Sequence, residues 1–267
     1  MQCPSGTWDV FVPYSGLHAL ALAVCAVLIA APSLVGRRLE KNREAMLRYA
    51  LAALAVVYWV AYNIWWNWNG LDLHTGLPLQ LCDFNGLVAP LALMTSWRWA
   101  RAALYFWTVA LTSQAFIQPA LTSGPASPVF WCFWAAHTII AVCAVYDIVV
   151  LRFRPGWGDL GRALVASAVY IALVVPVDLW LGANYGYVGN PADSKEVPPF
   201  VNALGPWPLR AVILVALAPL GFVVVLLPWL PFARRTAPNH DLRGRFHAEP
   251  SVRNAAELSP GGDTLLP

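Results

Sequence analysis

Charge is scarce in this chain: Asp, Glu, Lys and Arg make up 12% of its 267 residues, where a soluble domain carries about a quarter. A surface built from so little charge and 59% hydrophobic residues is not one for water, and a mean hydropathy of +0.57 points to a polytopic membrane protein. Signature motifs are lacking as well. There is no GxGxxG, no Walker loop and, among five cysteines, no CxxC, so nucleotide, Fe–S and structural-zinc readings have no support. No clear internal repeat is present. No basic residue precedes the first apolar run and no A-x-A-like site follows a short one, so a cleavable signal peptide is not expected and the first helix serves as its own anchor. The net charge of +3 belongs to loops between apolar segments, which excludes a nucleic-acid partner as its explanation.

What the chain has is apolar length. Segments able to cross a hydrocarbon core, which takes roughly 20 residues, lie at 17–36, 49–68, 78–95, 102–118, 129–151, 160–182 and 208–230. The reading is an all-α helix bundle of about seven transmembrane helices over 17–231, after an extracytoplasmic segment 1–16 and before a disordered cytoplasmic tail 232–267. In the tail Pro, Gly, Arg, Asp and Glu replace the apolar pattern. The third and fourth segments are short and contain or meet Pro90 and Pro119, which leaves a re-entrant alternative open. Orientation follows from the basic residues. Arg37, Arg38, Lys41, Arg43 and Arg48, then Arg98 and Arg101, then Arg152, Arg154 and Arg162, and finally the five Arg of the tail occupy alternate loops. Only Lys195 and Arg210 fall on the other side, so the N-terminus faces out and the C-terminus in.

The 14 Trp cluster at predicted helix ends, as interfacial anchors do. Polar groups inside the spans say more, since each is costly in lipid and faces a bundle interior or a wet cavity. Asn63 and Asn67 fall in the outer part of the second span, Gln80, Cys82, Asp83 and Asn85 at the outer start of the third, and Gln114 and Gln118 at the outer end of the fourth. His137 lies roughly 13 Å below the outer boundary at about 1.5 Å per residue. Asp178 lies a turn below the outer end of the sixth span, followed by Asn184 and Tyr185. One outward-opening polar pocket accounts for all of them. The stripes Trp59, Asn63, Trp66, Asn67 and Trp107, Leu111, Gln114, Gln118 have helical spacing. Cys82 and Asn85 share a face, while Asp83 is turned about 100° from Cys82.

A cysteine attacks as a thiolate and so needs a base or cation beside it. His137 is the one histidine well inside a span, and Cys with His is the smallest arrangement for acyl transfer. Asn63, Asp178 and Asn184 could orient the imidazole, and the sequence does not choose among them. Asn85, Gln80 or a backbone N–H near the start of the third helix could stabilise an oxyanion. The plainer readings are that Cys82 packs as Cys25 and Cys143 do, that His137 is a structural or ion-path group, or that Cys3, Cys82 and Cys132 offer a disulfide on an oxidising side. A metal site from Asp72, His74, Asp83 and His137 needs ligands that nothing in the sequence brings together, so no metal or other cofactor is expected.

The stretches LPLQLCDFNGLVAPLALMT, FWAAHTIIAV and NYGYVGNP resemble the bacterial YwaF-type integral membrane family, itself similar to eukaryotic transmembrane protein 164. The resemblance runs from about residue 44 to about 227 and implies an acyltransferase that moves a fatty acyl chain from a phospholipid to a lysolipid through an acyl-cysteine. The motif cysteine is then Cys82 and the histidine of the fifth helix His137. The reading is a lipid acyltransferase of the cell membrane, with phospholipid donor and lysolipid acceptor as partners and a Trp-lined outer rim for acyl chains. A small-solute or ion transporter and a non-catalytic lipid-binding protein are the alternatives. A conducting path needs polar groups toward the inner side, where Asp147 is the one strong candidate.

Overall fold

In the computed structural model, which describes residues 8–191 and 197–231, the chain is all-helical, with one isolated antiparallel bridge between Val10 and Ser123. The tail at 232–267, expected to be disordered, and Cys3 lie outside the described residues. The helices are α1 (Gly16–Gly36), α2 (Lys41–Trp66), α3 (Leu81–Thr95), α4 (Arg98–Phe106), α5 (Gln114–Ile117), α6 (Pro128–Val149), α7 (Trp157–Leu181), α8 (Pro199–Asn202) and α9 (Leu209–Leu226). Five stretches are long and apolar enough to cross a membrane: Gly16–Gly36, Lys41–Trp66, Pro128–Val149, Trp157–Leu181 and Leu209–Trp229.

The third and fourth expected spans take other forms, for local reasons. In α3 the carboxylate of Asp83 accepts the Gln80 N–H at 3.2 Å, which starts the helix at Leu81 rather than 78, and Ser96 in a left-handed conformation (φ 53°) ends it after 15 residues. The fourth segment begins as α4, widens into a π-helical stretch at Trp107–Thr112 and closes as the four-residue α5. Elsewhere the chain follows ordinary rules. Ser15 caps α1 by accepting the His18 N–H, Ser127 with Pro128 starts α6, and Gly182 (φ 70°) ends α7. α2 begins eight residues before the predicted span at 49, because KNREAMLR is built of good helix formers and carries a Glu44–Arg48 pair one turn apart.

Small residues let the central helices approach closely. Ala52 and Ala55 of α2, Ala89 and Ala92 of α3, Ala100 of α4 and Ala144 of α6 form one buried seam around Leu93 and Tyr146, as helices do where lipid gives no hydrophobic drive to associate. A second core joins Phe106 and Trp107 to Tyr170, Val174, Tyr185 and Phe222. Large apolar side chains such as Val27, Val57, Leu173, Val212 and Leu220 stand exposed on the outer faces. With the apolar helices they make this a multi-pass membrane protein.

One end of the bundle is closed by ion pairs. Arg101 Nε donates to both oxygens of the buried Asp147 at 2.9 and 3.0 Å, over the ring of Phe153. Arg98 forks onto both oxygens of Asp159 at 2.8 and 2.7 Å, where Arg162 joins at 3.0 Å. Removing one member of such a pair strands a buried charge. Arg101→Leu is therefore expected to cost about 3 kcal/mol or more, and Arg101→Leu with Asp147→Leu together much less. Thermal unfolding of both variants in one detergent checks the order; equal losses would show that the ion pair is not what matters there.

Candidate active site

α3 starts beneath a loop, and four hydrogen bonds from three directions fix that start. Trp59 Nε1 of α2 donates to the Asp83 carbonyl at 3.0 Å. The Tyr170 hydroxyl of α7 donates to the Leu79 carbonyl at 2.9 Å. The Tyr185 hydroxyl accepts the Leu77 N–H at 3.0 Å, and Gln80 Oε1 accepts the Gly186 N–H at 2.9 Å. A side chain at Gly186, which itself has φ 62°, would put its Cβ 2.5 Å from the Tyr170 hydroxyl, so glycine is required where the loop crosses α7.

So held, the half-buried Cys82 thiol stands 3.3 Å from His137 Nε2. His137 Nδ1 lies 2.7 Å from the carbonyl of Phe133, one turn earlier on α6. A carbonyl only accepts, so Nδ1 carries the proton and the neutral ring turns the Nε2 lone pair toward sulfur. The ring sits against Phe133 (centroids 4.4 Å) and edge-on to Phe116 (6.3 Å), which shield it from water. Cys82 is a free thiol. The first N–H groups of α3, at Leu81 and Cys82, precede any helical acceptor and lie at the positive end of the helix.

A crevice of about 30 Å3 opens beside the thiol, between Tyr58, Trp59 and Tyr62 of α2, Gly86 of α3 and Ala136 and Ile139 of α6. A Cβ on Gly86 would sit 3.0 Å from the Trp59 ring. In the α7–α8 loop, burial pushes the Tyr187 hydroxyl up to about 12.

The remaining sequence-derived residues are placed differently. Asn63 donates to the Trp59 carbonyl at 2.8 Å, and Asn67 to the carbonyls of Asn63 and Gly76. Both finish α2 rather than orient His137, since the i−4 carbonyl is the nearest acceptor. Asp178 accepts the Tyr185 N–H at 2.8 Å, and Asn184 is buried beside it. Together with Tyr185 they shape the loop after α7. Asp83 is engaged with Gln80, as its rotation away from Cys82 implies. Asn85 is fully buried and spends its amide on Thr108 (3.0 Å) and Thr112 (3.3 Å). Gln114 is exposed. The π-helical stretch just before it breaks the straight-helix spacing of Trp107, Leu111, Gln114 and Gln118.

Sequence reasoning missed Thr108 and Thr112, the Phe133 carbonyl and Tyr187. The i, i+4 spacing of the two threonines was the available signal; nothing in a sequence marks a backbone carbonyl. A model of the TMEM164 family matches residues 13–227 of the chain. No curated protein and no solved structure matches it.

The geometry places His137 where a base for Cys82 would stand. At neutral pH His137→Gln is expected to slow mixed-disulfide formation between Cys82 and a small methanethiosulfonate, with loss of methanesulfinate, by at least about 100-fold, the lower end of what a positioned base contributes. An unchanged rate with the fold intact would remove the base.

Proposed function

Taking as premise that the chain belongs to the TMEM164 family and is a multi-pass membrane protein, we propose that it is a lipid acyltransferase that carries a fatty acyl chain on Cys82. The observation that carries this reading is the 3.3 Å approach of Cys82 Sγ to a His137 Nε2 whose partner nitrogen is committed to a carbonyl. His137 takes the thiol proton as sulfur attacks the ester carbonyl of a phospholipid. The N–H groups at the start of α3 face the developing oxyanion, a role the Asn85 amide, spent on Thr108 and Thr112, does not fill. Collapse of the adduct breaks the acyl C–O bond, and the imidazolium returns its proton to the leaving alkoxide. The lysolipid departs and a thioester remains. In the second half a lysolipid hydroxyl, or water, loses its proton to His137 and attacks the thioester, and the thiolate recovers that proton.

The aromatic and small residues around the crevice supply the acyl side. Tyr58, Trp59 and Tyr62 stand over Ala55, Gly86 and Ala136, a groove for an apolar chain arriving from lipid. The protein sits in the cell membrane of a bacterium with seven crossings, α3 and the α4–α5 segment completing the five long helices, and with its N-terminus out and C-terminus in. Phospholipid donor and lysolipid acceptor are its partners. A transport path is disfavoured by the far end, where Asp147 is bound on both oxygens by Arg101.

Purified protein in liposomes with an alkyne-tagged acyl phospholipid is expected to gain a label that hydroxylamine removes. Cys82→Ala should carry none, and His137→Ala should label slowly. Equal labelling of Cys82→Ala and the natural chain, or none on either, would overturn the thioester.

A further inference from the structure

At the ion-paired end of the bundle, away from Cys82, a second cavity of about 880 Å3 lies between the α1–α2 turn, the end of α6 and the end of α9. That is the size of a small-molecule site, and its walls are divided by chemistry. Leu39, Ile148 and Val150 make one side apolar, with Trp229 at the edge, while Arg37, Lys41, Arg152 and Arg154 supply four cations. The single acid lining it, Glu44, is engaged with Tyr146 at 3.0 Å and with Arg48. Arg154 is fixed by the carbonyls of Ile148 and Phe153 and stacks on Trp229. Arg37, Lys41 and Arg152 are paired with no acidic side chain among the described residues.

Arg152, just past the end of α6, has φ 55°, the left-handed conformation in which helices commonly stop, as Ser96 does after α3. Gly36, on the same rim, admits Tyr146 so closely that a Cβ there would lie 2.8 Å from the ring; α1 is thereby drawn against α6 and the cavity's floor is set. The basic residues here border an open hollow that also has an apolar wall, which the charge bias of membrane loops does not by itself require.

We propose that this cavity binds a phosphate-bearing anion, the head group of an anionic phospholipid whose chains lie along the apolar wall, or free phosphate. The phosphate takes Arg37, Lys41 and Arg152, and the rigid Arg154–Trp229 stack marks its depth. Basic pockets between helices at such an end hold lipid head groups by the same chemistry. The site is independent of the thioester reading.

The test is native mass spectrometry of the full chain titrated with phosphatidylglycerol, with phosphatidylcholine, and with phosphatidylglycerol in the presence of millimolar inorganic phosphate. Retention of phosphatidylglycerol over phosphatidylcholine is expected. Arg37→Gln with Arg152→Gln should weaken it about 30-fold, on the order of fivefold per cation. Arg38→Gln with Arg43→Gln, which removes equal charge nearby outside the cavity, should leave it within about twofold. Displacement by inorganic phosphate would identify free phosphate as the ligand; persistence would identify the lipid. Equal retention of phosphatidylcholine, or equal loss in the two double variants, would overturn the site.

Discussion

The hydrogen bond from His137 Nδ1 to the Phe133 carbonyl, 2.7 Å long, settles which nitrogen faces Cys82. In an α-helix that carbonyl already accepts the amide of the residue four positions on, here His137 itself. Its second lone pair takes the ring. The orienting partner therefore comes from the same helix, one turn away, and needs no carboxylate from elsewhere. Everything else at the site has to bring a thiol to an imidazole whose direction is already fixed.

That task falls on the first turn of α3, and it explains why so many side chains converge on backbone atoms of residues 77–83. Trp59, Tyr170 and Tyr185 come from α2, α7 and the loop after it, Gln80 within the stretch holds the Gly186 N–H in return, and each satisfies a main-chain group that apolar surroundings would leave unpaired. The polar residues serve position more than chemistry. The two ends of the bundle thus hold by different means, the reactive end by neutral hydrogen bonds to backbone, the opposite end by the forked contacts of Arg98 and Arg101 with Asp159 and Asp147.

Much of this was legible in the residues. Low charge and long apolar runs gave a helical membrane protein, and LPLQLCDF with FWAAHTIIAV singled out the two groups that come within 3.3 Å. The hydrophobic runs alone overstated the third and fourth segments as ordinary spans, because apolar content does not register a cap at Gln80 or a widened turn at Trp107–Thr112. The same widening defeated the stripe from Trp107 to Gln118. Asn63, Asp178 and Asn184 were sound orienting groups by type, but Asn63 bonds the Trp59 carbonyl and Asp178 the Tyr185 N–H, and His137 Nδ1 is at the Phe133 carbonyl.

The brevity of α3 has a consequence for the lipid around it. Fifteen residues rise about 22 Å, short of a hydrocarbon layer of about 30 Å. Where acyl chains meet this helix the bilayer is too thick for it, and thinning relieves such a mismatch at small cost. The ester groups of neighbouring phospholipids are then drawn down toward the depth of Cys82, so that, for the proposed lipid chemistry, the membrane itself would cover part of the distance to the thiol.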